Sequence, residues 1–267
     1  MPVPSRQKQY IIAASIIVGL WLFFEIWPWV VYNSPIEIAL NDRFHAPSTS
    51  HWFGTDNLGR DVLSRVASGA RLSFRVSILA WLASLSLGLI LGGIAGYWEG
   101  SWLDRIINWL VSALLTIPYL IIIIAALSIL GHGLVKSYLV LTFIVWAAPA
   151  RMTRINVIKV KTLDFVQTGH AMGFPQLSIL IKSILPSAIP PAIIASVAVL
   201  PELVALDAGL AFFGLGVQPP TPSLGKMIAD GLNTISLAWW IALVPTIILG
   251  LICISMNIAA KIMRNTT

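Results

Sequence analysis

Long apolar stretches dominate this sequence, and they limit the folds that it can adopt. Hydrophobic residues make up 57% of the 267 positions, charged residues only 10%, and the mean hydropathy is +0.86. A soluble domain of this length leaves a large part of its surface in water, and this composition supplies too few polar residues to cover it. The sequence therefore predicts a membrane protein, in which each helical span needs about 20 apolar residues.

Six stretches are apolar and long enough to cross a bilayer as helices. We place them at Tyr10–Tyr32, Ser73–Trp98, Ile106–Leu130, Ser137–Ile158, Ala188–Phe213 and Ala238–Ile262. The chain is therefore predicted to be an all-α polytopic membrane protein with six transmembrane helices. Residues 1–72 would form an N-terminal anchor helix and an extracytoplasmic loop, and residues 73–267 the membrane core.

The distribution of Lys and Arg predicts the orientation in the membrane. One side carries ten of the 17, namely Arg6, Lys8, Arg105, Arg151, Arg154, Lys159, Lys161, Lys182, Lys261 and Arg264. The other side carries seven, namely Arg43, Arg60, Arg65, Arg71, Arg75, Lys136 and Lys226. Because cytoplasmic loops carry the excess of positive charge, both termini are predicted to be cytoplasmic and the loop 33–72 extracytoplasmic. We expect a multi-pass protein of the cytoplasmic (inner) membrane.

The sequence contains no motif that predicts catalysis or a nucleotide site. A phosphate-binding loop is absent, since Leu224-Gly225-Lys226-Met227 lacks both the first glycine and the hydroxyl residue of that motif. Zinc-protease and nucleophile-elbow motifs are absent as well. A metal site formed by His45 and His51 with Asp42 or Asp56 is one interpretation of the outer loop, and solvated loop residues are the interpretation that we favour. We predict that the chain is not an enzyme and holds no cofactor of its own.

The polar segment between spans four and five predicts a helical elbow on the inner side. We expect one helix over Asp164–Met172, capped by Asp164, then a break at Gly173–Pro175 and an apolar helix that ends at Pro186. A short amphipathic elbow of this kind is typical of a segment that docks in a groove of a soluble protein. A linker along the membrane surface is the alternative.

Several motifs in order resemble one known family. Phe165-Val166-Gln167-Thr168-Gly169, Gly173 and Ile184-Leu185-Pro186 have the spacing of the coupling loop of ATP-binding-cassette (ABC) importer permeases. The stretches 51–65, 146–154 and 212–225 match as well, so the chain resembles the dipeptide/oligopeptide/nickel permease family, and within it the second, C-type subunit. The sequence departs from the family pattern at Gln167, Thr168, Gly169 and Ser183, where Glu, Ala, Ala and His are usual.

The resemblance implies a type I ABC importer permease fold, with residues 73–267 as the permease core. It implies a second homologous permease, one or two ATPase subunits that bind ATP and Mg²⁺, and an extracytoplasmic solute-binding protein, with membrane lipid around the chain and no nucleic acid. The expected ATPase-coupling residues are Gln167, Thr168, Gly169, Gly173 and Pro186. Peptides are the leading substrate class, and nickel or a metal chelate is the runner-up.

Two acids and three glycines lie inside predicted spans. Glu202 and Asp207 are costly at bilayer depth unless they face protein or water. Both are candidate residues of a translocation path, although a structural pairing with another helix fits Asp207 and a buried polar network fits Glu202. An ion-driven secondary transporter or an assembly scaffold remains an alternative. Gly88, Gly92 and Gly96 would share one helix face, for packing inside the fold or against a second subunit.

Overall fold

The computed structural model describes residues 5–31 and 34–264, and its regular structure is helical. The helices are α1 Ser5–Val30, α2 Val62–Tyr97, α3 Trp102–Thr116, α4 Tyr119–Leu130, α5 Leu134–Val145, α6 Ala147–Lys161, α7 Asp164–Ala171, α8 Gln176–Ile179, α9 Leu185–Val197, α10 Leu200–Phe212, α11 Leu224–Leu232 and α12 Trp240–Arg264. A short 3₁₀ turn, Leu40–Asp42, lies in the first loop, and a π-helical segment, Leu180–Ile184, joins α8 to α9. The predicted all-α class is confirmed.

Helix α2 extends from one end of the molecule to the other. Asp61 accepts a hydrogen bond from the Ser64 amide at 2.8 Å and caps α2, so the helix begins at Val62 and not at the predicted Ser73. The loop predicted over residues 33–72 is correspondingly shorter, and Tyr32 and Asn33 lie outside the described residues. At its far end, α2 contacts the elbow region, because the Tyr97 hydroxyl donates to the Gln176 carbonyl at 3.4 Å, and Lys161 Nζ at the end of α6 donates to the Tyr97 carbonyl at 2.8 Å.

The three glycines of α2 form a close contact with α6. A β-carbon on Gly92 would lie 2.3 Å from the Ala150 carbonyl oxygen, and one on Gly88 or Gly96 would also lie within 3 Å of α6. Small residues allow two membrane helices to approach at this distance. The interpretation of these glycines as packing positions inside the fold is therefore confirmed.

Helices α1 and α12 pack together against the first half of α2. Phe24, Phe74 and Ile252 belong to their shared core. Glu25 of α1 accepts a hydrogen bond from Arg71 Nε at 2.9 Å and also pairs with Arg75. The two guanidinium groups offset the cost of keeping the Glu25 carboxylate charged inside the membrane core.

Three predicted spans are interrupted in the structure. The predicted Ile106–Leu130 span is two helices, α3 and α4, that bend by 98° where Ile117 is extended before Pro118. Trp146 forms a turn between α5 and α6, but its backbone angles stay helical and Leu134–Lys161 continues as one apolar segment. A turn at residues 198–199 separates α9 from α10. Pro201 therefore lies in the first turn of α10, where the missing amide proton costs little, and not inside a continuous helix.

The prediction that a helix ends at Pro186 is wrong. The helical path continues from Gln176 to Val197, and Pro186 lies in the first turn of α9. A proline inside a helix removes one hydrogen bond and its ring clashes with the carbonyl four residues earlier. The wider π-helical turn at Leu180–Ile184 lies directly before the proline and interrupts the α-type hydrogen bonding there. The fifth predicted span thus begins at residue 176 and not at 188.

Four described helical segments are each long and apolar enough to cross a membrane, and the α3–α4 pair would supply a fifth. The four are Val62–Tyr97, Leu134–Lys161, Gln176–Val197 and Trp240–Arg264. The apolar part of α1 within the described residues, Ser15–Val30, is shorter. The total of six spans therefore stays a prediction.

Candidate functional site: the elbow and the membrane acids

The elbow consists of α7 packed on the start of the helical run that begins at Gln176. Val166 of α7 is buried together with Ile179 and with Val157 of α6, which fixes α7 against the membrane core. Leu163, and not Asp164, is the N-terminal cap residue, so Asp164 contributes its charge to the first turn and does not cap the helix. Gly173 adopts a φ of +77°, a conformation that glycine reaches without strain, and reverses the chain after α7.

The expected coupling residues lie on the exposed side of this elbow. Gln167 and Thr168 are exposed, and the Gln167 amide donates to the Thr162 carbonyl at 3.3 Å. Gly169 packs against Ile179, where a β-carbon would lie 3.6 Å from the nearest side-chain atom. Pro186 is exposed but lies beyond the π-helical segment, on the rising helix. The structure thus brings Gln167 to Gly173 together and leaves Pro186 apart from them.

Large apolar side chains surround these polar positions. The exposed ones are Phe165, Met172, Phe174, Leu177 and Ile181. Exposed hydrophobic groups clustered around a short helix are typical of a surface that another protein covers. The sequence pattern predicted the elbow, but the exposure of these side chains depends on how α7 rotates against α6.

The two acids of α10 have different surroundings. Asp207 is buried and hydrogen-bonded to Ser73 of α2. Glu202 lies in the first turn of α10 and is exposed on the isolated subunit. Among the described residues, Glu202 has no ion-pair partner, although it lies within electrostatic range of the Tyr119 phenol. The acids therefore do not form one site, and only Glu202 is available to a ligand or partner.

The motif at residues 51–65 folds the outer loop onto the end of the helix bundle. Asp56 accepts hydrogen bonds from the amides of Leu58 and Arg60 at 2.8 and 3.0 Å, and from Arg60 Nε at 2.7 Å. Trp240 of α12 donates to the Thr55 carbonyl at 3.1 Å. A β-carbon on Gly59 would lie 1.7 Å from the Ala39 carbonyl oxygen, so only glycine fits there. The motif is a structural clamp that joins the loop to α12.

The metal interpretation of this loop is not supported by the geometry. His51 pairs with Asp61 at 2.9 Å, and His45 lies 3.6 Å from Asp42, so the two histidines have separate partners. Within residues 5–31 and 34–264, no group of three or more His, Cys, Asp or Glu side chains is placed to hold a metal ion.

Sequence reasoning missed two charged contacts. Arg154 of α6 forms a bidentate pair with Asp104 of α3, at 2.6 and 2.9 Å. The pair joins the two helices at the start of α3, at the end remote from the bend at Ile117. Arg65 is almost completely buried beneath the outer loop, 3.3 Å from Asp56, and donates to the Pro35 carbonyl. Arg154 and Asp104 are 50 residues apart, and Arg65 and Asp56, although both lie in the stretch 51–65, are not spaced as neighbours on one helix, so the sequence pattern did not predict either pair.

Comparison with known proteins decides the family. Residues 88–266 match the family described as "Binding-protein-dependent transport system inner membrane component". The chain belongs to this family. It is similar to the dipeptide transport system permease protein DppC of Bacillus subtilis (strain 168), with 33% identity over 255 residues, which are 94% of this chain and 79% of that protein. It is also similar to the glutathione transport system permease protein GsiD of Pectobacterium atrosepticum, with 30% identity over 95% of this chain and 85% of that protein.

A solved structure supports the fold of this family member. The MetNI methionine ABC transporter, in an inward-facing conformation, aligns with a TM-score of 0.60 at 19% identity over 76% of this chain and 96% of that one. The chain is therefore an inner-membrane permease subunit of a binding-protein-dependent ABC importer, with the type I fold that its motifs predicted.

Proposed function

We propose that this permease forms half of the translocation path of an importer of short peptides. The relatives similar to it over nearly its whole length are named for dipeptide and glutathione transport, and glutathione is itself a small peptide. Nickel or a metal chelate is less well supported, because the described residues contain no group arranged to hold a metal ion. Peptides therefore remain the leading substrate class.

The structural observation that carries the ATP-driven part of this proposal is the exposed elbow formed by residues 164–181. Its apolar side chains, with Gln167 and Thr168 between them, are suited to the groove of a soluble ATPase subunit. Because Gln167 carries no charge, we infer that it contacts the ATPase by hydrogen bonding and not by an ion pair. ATP and Mg²⁺ would bind to that ATPase, since this sequence has no phosphate-binding loop.

The complete transporter would contain a second homologous permease, one or two ATPase subunits and an extracytoplasmic solute-binding protein. The elbow and the outer loop lie at opposite ends of α2. We propose that the elbow end is cytoplasmic, with both termini on that side, and that the outer loop faces the binding protein. This assignment agrees with the ten-to-seven division of Lys and Arg.

We propose that Glu202 lines the path between the two permeases. An exposed carboxylate in the membrane needs water or protein beside it, and the interface with a second permease would supply both. Asp207 would act indirectly, by holding α10 on α2 through Ser73.

Reconstitution of the complete transporter tests this function. The chain would be purified with its ATPase and second permease, placed in proteoliposomes and supplied with the binding protein and a labelled dipeptide. We expect uptake that requires ATP and the binding protein. Uptake that instead follows a proton or sodium gradient, without a co-purifying ATPase, would favour the ion-driven alternative.

A further inference from the structure

An open groove of about 750 Å³ lies between α1 and α2 on the outer surface of the helix bundle. The two helices are antiparallel there, since Arg71 lies beside Trp29 and Arg75 beside Glu25. Glu25 and Arg75 line one end of the groove, and the rest of its lining is apolar, namely Ile17, Val18, Trp21, Ile78, Leu79 and Leu82. The groove therefore follows the helix axes and has one charged end.

The charged end lies at the edge of the apolar part of α2. No charged residue follows Arg75 before the helix ends at Tyr97. At a rise of about 1.5 Å per residue, this uncharged part spans roughly the 30 Å of a hydrocarbon core. The exposed Trp29, whose ring lies 5.6 Å from the Arg71 guanidinium, is a residue type enriched at the membrane interface. The charged end thus lies at the level of lipid headgroups, and the apolar part at the level of acyl chains.

This charged end carries an excess of one positive charge. Glu25 accepts hydrogen bonds from both Arg71 and Arg75, so two guanidinium groups face one carboxylate. Among the described residues, no other acid forms an ion pair with either arginine. The Arg75 side chain is 47% exposed and the Glu25 side chain 17%, so the positive group is the more accessible one. A guanidinium group offers paired N–H donors that match the oxygens of a phosphate.

We propose that this groove binds one anionic phospholipid in the leaflet nearest the outer loop. The lipid phosphate would contact Arg75 and Arg71, and an acyl chain would lie between α1 and α2 as far as Leu82. A soluble anion would leave the apolar part of the groove uncovered, and an apolar helix would leave the excess charge without a partner. One anionic lipid matches both parts, as in other basic pockets between membrane helices. This inference requires only the membrane fold and not peptide import.

Photocrosslinking of lipid to the purified permease complex tests this site. The complex is placed in phosphatidylcholine nanodiscs with a trace of phosphatidylglycerol that carries a diazirine in its acyl chain, and crosslinked fragments are mapped by mass spectrometry. We expect label in Ser15–Val30 and in residues 75–87. In Arg75→Gln this label should fall about tenfold, which corresponds to one lost charge-assisted hydrogen bond. In Glu25→Gln it should rise, because both guanidinium groups become available to the phosphate.

Matched variants separate the charge and the shape of the groove. Arg43→Gln removes an exposed arginine of the outer loop and should leave the label unchanged. Leu79→Trp fills the groove and should lower the label, whereas Leu87→Trp, which lies on α2 outside the groove, should not. Equal label from a phosphatidylcholine probe, unchanged label in Arg75→Gln, or a fall in Glu25→Gln would overturn the inference. Absence of lipid label from both fragments would show that protein covers the groove, and would also overturn it.

Discussion

At the scale of single residues, the outer loop depends on one carboxylate. Asp56 binds two amides and the Arg60 side chain, and it lies 3.3 Å from the buried Arg65. Two guanidinium groups thus share one acid in a region with little access to water. Removing one partner of such a group leaves a buried charge uncompensated, which costs more than the pair itself contributes.

We predict that Asp56→Ala destabilises the purified protein by about 3–5 kcal/mol. The matched control is Asp42→Ala, because the Asp42 side chain is 44% exposed and its ion pair with His45 is long. Thermal unfolding in detergent, followed by size-exclusion chromatography, measures both variants. Equal melting temperatures for Asp56→Ala and the unaltered protein would contradict the role given to Asp56.

At the scale of helices, close packing and local backbone geometry set the arrangement. The contact between α2 and α6 depends on glycine, since a β-carbon on Gly92 would lie 2.3 Å from a backbone oxygen. The elbow depends on Gly173 in a different way, because its φ of +77° disfavours any residue with a β-carbon. Gly92 is therefore required because α6 leaves no space for a β-carbon, and Gly173 because its own φ angle is unfavourable for other residues.

We predict that Gly92→Ala separates α2 from α6 and lowers stability by about 1–3 kcal/mol, as overpacking does. Gly250→Ala on α12 is the control, because none of the described atoms lies within 4 Å of its added β-carbon. That variant should be neutral or slightly more stable, since alanine favours helix. In detergent, the melting temperature of Gly92→Ala should therefore fall, whereas that of Gly250→Ala should stay the same or rise slightly.

For the elbow, we predict that Gly173→Ala lowers peptide uptake per ATP hydrolysed while leaving membrane insertion intact. The strain of about 1–2 kcal/mol at a left-handed position would shift α7 relative to α8. Gly100→Ala is closely matched, because Gly100 has a φ of +80° and, like Gly173, has no described atom within 4 Å of an added β-carbon, but lies outside the elbow. If both variants keep the same ratio of uptake to ATP hydrolysis, the elbow does not couple the two.

The sequence predicted the bounds of a helix correctly where hydropathy alone determines those bounds. The sixth predicted span and α12 agree to within two residues at each end, because the apolar stretch is bounded by polar residues on the inner side. The start of α2 was missed, because polar residues such as Arg65 and Ser64 are buried there under the outer loop. The π-helical segment before Pro186, the burial of Asp207 against Ser73 and the exposure of Glu202 depend on tertiary contacts, which hydropathy does not report.

At the scale of the whole molecule, the orientation of the helix bundle in the membrane follows from which side each end of α2 faces. The outer loop and the elbow occupy opposite ends of α2, so finding which side of the membrane one end faces also gives the side of the other. In a Cys253→Ser background, we predict that Asn57→Cys reacts with a membrane-impermeant thiol reagent in intact cells, whereas Thr162→Cys reacts only after lysis. Both side chains are exposed in the subunit. The reverse pattern would place the termini outside.

Helix α2 is 36 residues long without an interruption, whereas α3 and α4 bend by 98° and turns lie between α5 and α6 and between α9 and α10. A continuous helix of this length, capped at its outer end by Asp61 and hydrogen-bonded to the elbow through Tyr97 and Gln176, resists bending. Movement that begins at the elbow would therefore be taken up at the joints near residues 117, 146 and 198. We expect α2 to keep its shape while the neighbouring helices rotate at these three positions, and we expect these rotations to open and close the passage.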